Sequence, residues 1–178
     1  SMTTQPRPHR ADSLSRRDFV RVSAGTVAGA MLAGSPTFAA SSSPRVTQPL
    51  KVGVIGCGGR GTGAAVQALR ADSNCILHAM GDVFADRLTS SLKGITEEMG
   101  EDAATKVQVP AERLFTGFDN YHKVIESGVD VVLITGYPAF RPEHYRAAIA
   151  AGKHVFAEKP LAVDSPGIRL VLETAEKA

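Results

Sequence analysis

Only two cysteines, Cys57 and Cys75, occur in the 178 residues. No Cys/His cluster has metal-ligand spacing, which removes the commonest structural metal sites from consideration. Also missing is any run of about 20 consecutive apolar residues, the length a bilayer-spanning helix requires. The mild stretch Val22 to Gly34, rich in Ala, Gly and Thr, is too short and too weakly hydrophobic to serve. An excess of one charge sign is lacking as well. Residues 1–40 hold five of the 20 basic residues and two of the 18 acidic ones, leaving 15 against 16 and a net of −1 for the remainder. With its basic residues dispersed, that body has no footprint for nucleic acid or acidic lipid. No internal repeat is visible. At 43% hydrophobic and 21% charged the composition is that of an ordinary globular protein, long enough for one full-sized domain plus a leader.

The leader is residues 1–40, with Ser1 before Met2 reading as a tag residue. Ser15-Arg16-Arg17-Asp18-Phe19-Val20-Arg21 precedes the mild apolar run, Ser35-Pro36 breaks it, and Thr37-Phe38-Ala39-Ala40 offers small residues for signal-peptidase cleavage. A charged, then apolar, then small-residue layout is that of an export signal, and the arginine pair places it in the twin-arginine class. The expected address is the periplasm or another exported location, with the twin-arginine machinery as a partner and no stable membrane anchor. Residues 41–50, polar and proline-punctuated, read as a linker.

What the chain does have is glycine in register. Lys51 to Ile55 is a short strand pattern, and Gly56-Cys57-Gly58-Gly59-Arg60-Gly61 follows it, ahead of an alanine-rich helical pattern over 62–70. Gly56, Gly58 and Gly61 match Gly-x-Gly-x-x-Gly between a strand and a helix. That arrangement seats a pyrophosphate against free N–H groups at a helix N-terminus. Asp82, at the end of the second strand pattern (75–80), lies 21 residues beyond Gly61, close to the offset of about 20 for an acid that binds the adenosine ribose. A carboxylate there favours NAD over NADP, whose 2′-phosphate it would repel; the competing reading is a plain helix cap.

Alternation continues: a helix over 85–99 with Leu88, Leu92, Ile95 and Met99 inward, a charged excursion to Pro110, a strand over 114–118 and a helix over 121–127. The continuous apolar run 129–135 predicts a strand covered on both faces. A helix then begins at Pro142 and stops at Gly152, with Tyr145, Ala148 and Ile149 toward the sheet. A fifth strand over 153–157 and a helix from Asp164 follow. Strands alternating with helices imply right-handed crossovers and a doubly wound parallel α/β sheet. Cys57 lies past the end of the first strand and Cys75 at the start of its neighbour, too far apart for a disulfide. Both are expected to be free thiols.

Together with the glycine loop, Ala151-Gly-Lys-His-Val-Phe-Ala-Glu-Lys-Pro-Leu161 resembles the Gfo/Idh/MocA oxidoreductases. The likeness covers residues 51–178. It implies a nicotinamide-binding Rossmann domain that lacks the C-terminal α/β open-sheet domain, the part that in this family supplies the substrate pocket and often a homo-oligomer interface. It also implies hydride transfer between NAD and a sugar, polyol or related hydroxy substrate. The chain alone is expected to be inactive. Two rivals are a glycosidase using NAD transiently and a non-catalytic nucleotide-binding module. The family's Glu-Lys-Pro falls on Glu158, Lys159 and Pro160. Lys159 would polarise the reacting hydroxyl, and Glu158 would hold ribose or orient the lysine. Thr135 and Pro138 keep part of a cofactor-side pattern after the fourth strand. Arg141 stands roughly where many relatives carry a histidine, either clamping an acidic substrate or pairing with Glu143 or Glu158. His144 and His154 read as surface or packing residues.

Overall fold

The computed structural model describes residues 48–178. The leader and residues 41–47 of the linker lie outside the described residues. The chain runs β1 (Leu50–Ile55), α1 (Gly59–Ala71), β2 (Cys75–Asp82), α2 (Ala85–Met99), a short α3 (Ala103–Lys106), β3 (Leu114–Thr116), α4 (Asn120–Glu126), β4 (Val131–Ile134), α5 (Arg141–Ala150), β5 (His154–Ala157) and α6 (Ser165–Glu176). The five strands form one sheet in the order β3-β2-β1-β4-β5, every pair parallel. This is the doubly wound arrangement expected from the alternation of strands and helices.

The sheet is covered on both sides, which is why β1, β2 and β4 read as nearly unbroken apolar runs. Side chains alternate across it with the period of two that a strand imposes, except where β2 shifts register against β1 at His78 and so keeps Leu77 and Met80 on one side. Val52 and Val54 of β1 join Leu69, Leu77, Met80 and Ile95 in a core beneath α1 and α2. Ile55 joins Ala79, Val124, Val132, Ile134 and Ala148 in a second core beneath α4 and α5. Burial of this kind stabilises by roughly 1.5–3 kcal/mol per large side chain.

Several boundaries differ from the sequence reading, each for a local reason. β1 starts at Leu50, which pairs with Cys75, so the linker ends one residue earlier. α1 starts at Gly59 rather than Thr62. Gly58 is its N-cap, and the Thr62 N–H already bonds the Gly58 carbonyl at 2.9 Å. The first turn is glycine-rich and carries no apolar stripe, so periodicity could not register it. β3 ends at Thr116 because Gly117 turns with φ +94°. β4 is confined to 131–134; Val129 is buried yet precedes the ladder. Ala148 of α5 is fully buried and Tyr145 packs against the second core as expected, while the helix also buries Arg141 and His144. Both cysteines are buried free thiols. Leu50 is the partner of Cys75 in the β1–β2 register, and Cys57 lies seven residues further along, on the order of 20 Å at strand rise.

Candidate functional site

β1, β2 and β4 all end at the same edge of the sheet, and the turns that leave them face one another there. A cavity of about 370 Å³ opens at this edge, lined by Gly56, Gly58, Gly59 and Arg60 from the first turn, Asp82, Phe84 and Arg87 from the second, and Thr135, Pro138 and Arg141 from the fourth. Ligands in open α/β sheets sit at the carboxyl ends of the strands where the chain switches direction. A larger groove of about 760 Å³ lies at the opposite end of β5, among Arg146, Lys153, His154 and Glu173 of the sequence's last third. Size favours that groove, but it is remote from the glycine turn and Asp82, so topology outweighs volume here.

The three glycines of the motif do different things. Gly56 has φ +95°, a left-handed conformation that disfavours any side chain. A Cβ on Gly61 would overlap the Gly56 carbonyl oxygen and come within 2.8 Å of Thr135 Oγ1. Both are therefore demanded by the fold. Gly58 is not: its backbone (φ −75°, ψ −175°) suits any residue, and an added Cβ would meet only the flexible Arg87 Nη1 at 3.3 Å. Its missing side chain leaves open space on the cavity wall at the N-terminus of α1, where helix N–H groups favour an anion. The cradle fits a pyrophosphate.

Asp82 is buried, and both carboxylate oxygens are in use. Oδ2 accepts from the Cys57 N–H at 2.6 Å and Oδ1 from the Phe84 N–H at 3.0 Å. The residue braces the glycine turn against the end of β2 while still lining the cavity, and the N-cap of α2 is Phe84 rather than Asp82. Each oxygen keeps a further lone pair for a ribose hydroxyl. Thr135 Oγ1 donates to the Gly56 carbonyl at 2.6 Å, tying β4 to the same turn. Cys57 and Gly61 stand behind the cavity wall. Burial, reinforced by Asp82, pushes the Cys57 thiol well above its usual range, so it stays protonated and inert.

Glu158, Lys159 and Pro160 arrive at this edge from the end of β5, the last ladder bond running from the Glu158 N–H to the Ile134 carbonyl at 2.9 Å. The Glu158 carboxylate is ion-paired with Arg60 of the glycine turn, whose Nε donates to Oε1 at 2.6 Å. Hydrogen bonding and charge from Arg60 hold that carboxyl below the ordinary range. Lys159 is exposed and makes no ion pair with the described residues. Neither Glu158 nor Lys159 lines the cavity itself; they stand at its rim.

Arg141 departs from both roles considered for it. It is only 7% exposed, and its guanidinium donates to the backbone carbonyls of Gly136 (2.8 Å), Glu158 (2.6 Å) and Pro160 (2.7 Å). Glu143 is instead paired with Arg146, and the Glu158 carboxylate with Arg60. The Arg141 Nε and Nη1 are committed to the protein's own backbone, while the residue still lines the cavity. His144 is buried and stacked on Tyr121 with ring centroids 4.4 Å apart, and it also lines the cavity. Burial takes its pKa down to about 4, His122 acting in the same sense and Glu143 against it. His154 is exposed on β5.

Asn120 and Phe84 also line the cavity, and Arg60 pairs with Glu158 across 98 residues, features that the sequence does not single out. Only the position of Phe84, two residues past Asp82, carried a signal; contact between Arg60 and Glu158 is invisible until the sheet order brings β1 and β5 ends together.

A dinucleotide-binding architecture is thus defined by fold and turn together: strand, glycine turn, helix, and an acid at the end of β2. Residues 50–178 match the family model for the Gfo/Idh/MocA oxidoreductases, NAD-binding Rossmann fold, and the chain belongs to that family. Over 132 residues it is 33% identical to inositol 2-dehydrogenase of Klebsiella pneumoniae (strain 342), covering 72% of this chain and 34% of that protein. Among solved structures it resembles a probable dehydrogenase from Thermotoga maritima at 30% identity and TM-score 0.54, covering 72% of this chain and 33% of the other. Apo scyllo-inositol dehydrogenase from Lactobacillus casei, at 24% identity and TM-score 0.57 over 73% of this chain and 34% of the other, shares the fold. The chain spans about a third of the length of the curated relatives it matches.

Proposed function

We propose that this chain carries the cofactor-binding domain of an exported, NAD-dependent dehydrogenase acting on a polyol or related sugar. The observation that carries the reading is the convergence on one sheet edge of a phosphate-sized glycine cradle, the Asp82 carboxylate and the Glu158-Lys159-Pro160 strand end. In it, the N-terminus of α1 with Gly58 and Gly59 holds the pyrophosphate, Asp82 the adenosine ribose, and Thr135 and Pro138 the nicotinamide side. When bound, the nicotinamide supplies a hydride acceptor or donor. Lys159 then does the protein's share of the chemistry. Its ammonium would donate a hydrogen bond to the substrate oxygen, stabilising alkoxide character as the hydroxyl proton is released to solvent and the carbon-bound hydrogen leaves as hydride for the nicotinamide. The polyol class is supported by the inositol dehydrogenases among the relatives, NAD by the carboxylate at the end of β2, and export by the arginine pair and small-residue site of the leader.

The test is made in the enzyme that carries this domain. Replacing Lys159 with Met is expected to lower kcat on an inositol by about a hundredfold or more, with NADH affinity changing less than about threefold. Turnover within a few-fold of the parent enzyme would remove Lys159 from the chemistry.

A further inference from the structure

Arg141 is a buried cation with no carboxylate of its own. Its hydrogen-bond partners among the described residues are carbonyls, at 2.6–2.8 Å, and the Glu158 carboxylate, itself paired with Arg60, acts on it from further off. Burying a guanidinium this way is costly unless the geometry repays it, and two of its three acceptors flank one residue. Nη1 spans the carbonyls of Glu158 and Pro160, the neighbours of Lys159, while Nε is anchored to Gly136 on the cavity wall. Glu158 is bound at every polar group: its N–H by β4, its carbonyl by Arg141, its carboxylate by Arg60. Lys159 is the first residue beyond the ladder, and its own side chain is free of ion pairs with the described residues. What fixes its direction is the backbone on either side.

We propose that Arg141 is a positioning residue for Lys159, holding the carbonyls of Glu158 and Pro160 so that the lysine side chain leaves the strand end toward the cavity mouth. Arg60 serves the same end from the other side, through the Glu158 carboxylate. The planar, three-way donor set of arginine suits this task and a lysine ammonium does not. A catalytic group left without such support is loose by the ångström or so that abolishes its effect. The proposal rests on the reading of Lys159 given above.

Lysine Nζ resonances of the 178-residue chain, reductively methylated with ¹³C and assigned with a Lys159→Arg variant, report Lys159 without requiring turnover. On NADH titration the Lys159 signal of the parent chain is expected to shift. In Arg141→Gln, titrated to saturation with NADH, the Lys159 shift is expected to be lost, and Arg141→Lys is expected to recover part of it. A full Lys159 response in Arg141→Gln overturns the proposal. If the Gln variant does not fold, the Lys variant decides: a reduced response supports positioning and an undiminished one overturns it. A parent Lys159 indifferent to bound NADH overturns the reading of Lys159 itself, and the proposal with it.

Discussion

Asp82 holds the site together at the scale of a single carboxylate. Its two oxygens accept the Cys57 and Phe84 N–H groups, so it fixes where the glycine turn sits before any ligand arrives. A hydrogen bond to a charged group contributes about 1.5–3 kcal/mol. Asp82→Ala is therefore expected to weaken NADH binding by roughly thirtyfold, read by calorimetry. An unchanged affinity would leave Asp82 as a brace for the turn and nothing more. His144 makes a separate statement about pH. Burial lowers its pKa to about 4 in the folded chain, against about 6.5 unfolded. The unfolded chain thus binds more protons between those values, so stability is present above about pH 6.5 and is lost as pH falls toward 4. The loss is on the order of 3 kcal/mol. Denaturant melts from pH 7 to pH 4 should show that decline, and His144→Gln should flatten it.

At the scale of elements, the β1–α1 turn separates two kinds of glycine. Gly61 lies where a Cβ would strike the Gly56 carbonyl, and neither backbone can retreat without breaking the strand-to-helix turn. Gly61→Ala should destabilise the chain by about 2 kcal/mol or more and abolish NADH binding. Gly58→Ala should melt within about 0.5 kcal/mol of the parent, since only a flexible arginine tip is near, yet bind NADH at least about tenfold more weakly. A Gly58→Ala chain with parental affinity would mean that no phosphate approaches that backbone. The Gly-x-Gly-x-x-Gly spacing was legible in the sequence because glycine's conformational needs are local. The division of labour among the glycines was not, because it depends on what β4 and α2 bring alongside. The same reason explains Arg141. Its position before Pro142 was plain, but its partners are carbonyls, which no side-chain pattern advertises.

For the whole molecule, a sheet edge with a cofactor cradle is present, while the chain spans only about a third of its relatives' length. The 178 residues are expected to bind NADH measurably, and more tightly than NADPH, yet to oxidise no inositol when NADH formation is followed by absorbance. Turnover by this chain alone would show that the strand-end residues suffice for both substrate binding and chemistry. Phe156, Val163, Ile168 and Leu172 on and after β5 are exposed, in contrast to β1 and β2, which are buried throughout most of their length.

From the sequence by itself came the class of fold, the order of strands and helices, the glycine turn, the acid at the end of β2 and the Glu-Lys-Pro strand end. These are legible because each rests on periodicity or on a residue type whose conformational or charge requirement acts within a few positions. Only the tertiary structure decided that Asp82 spends its oxygens on the turn, that Arg60 pairs with Glu158, and that Arg141 grips the backbone around Lys159. Those contacts join residues 17 to 98 positions apart. They exist because parallel pairing carries the ends of β1, β2, β4 and β5 to one edge, a proximity that chain order does not contain.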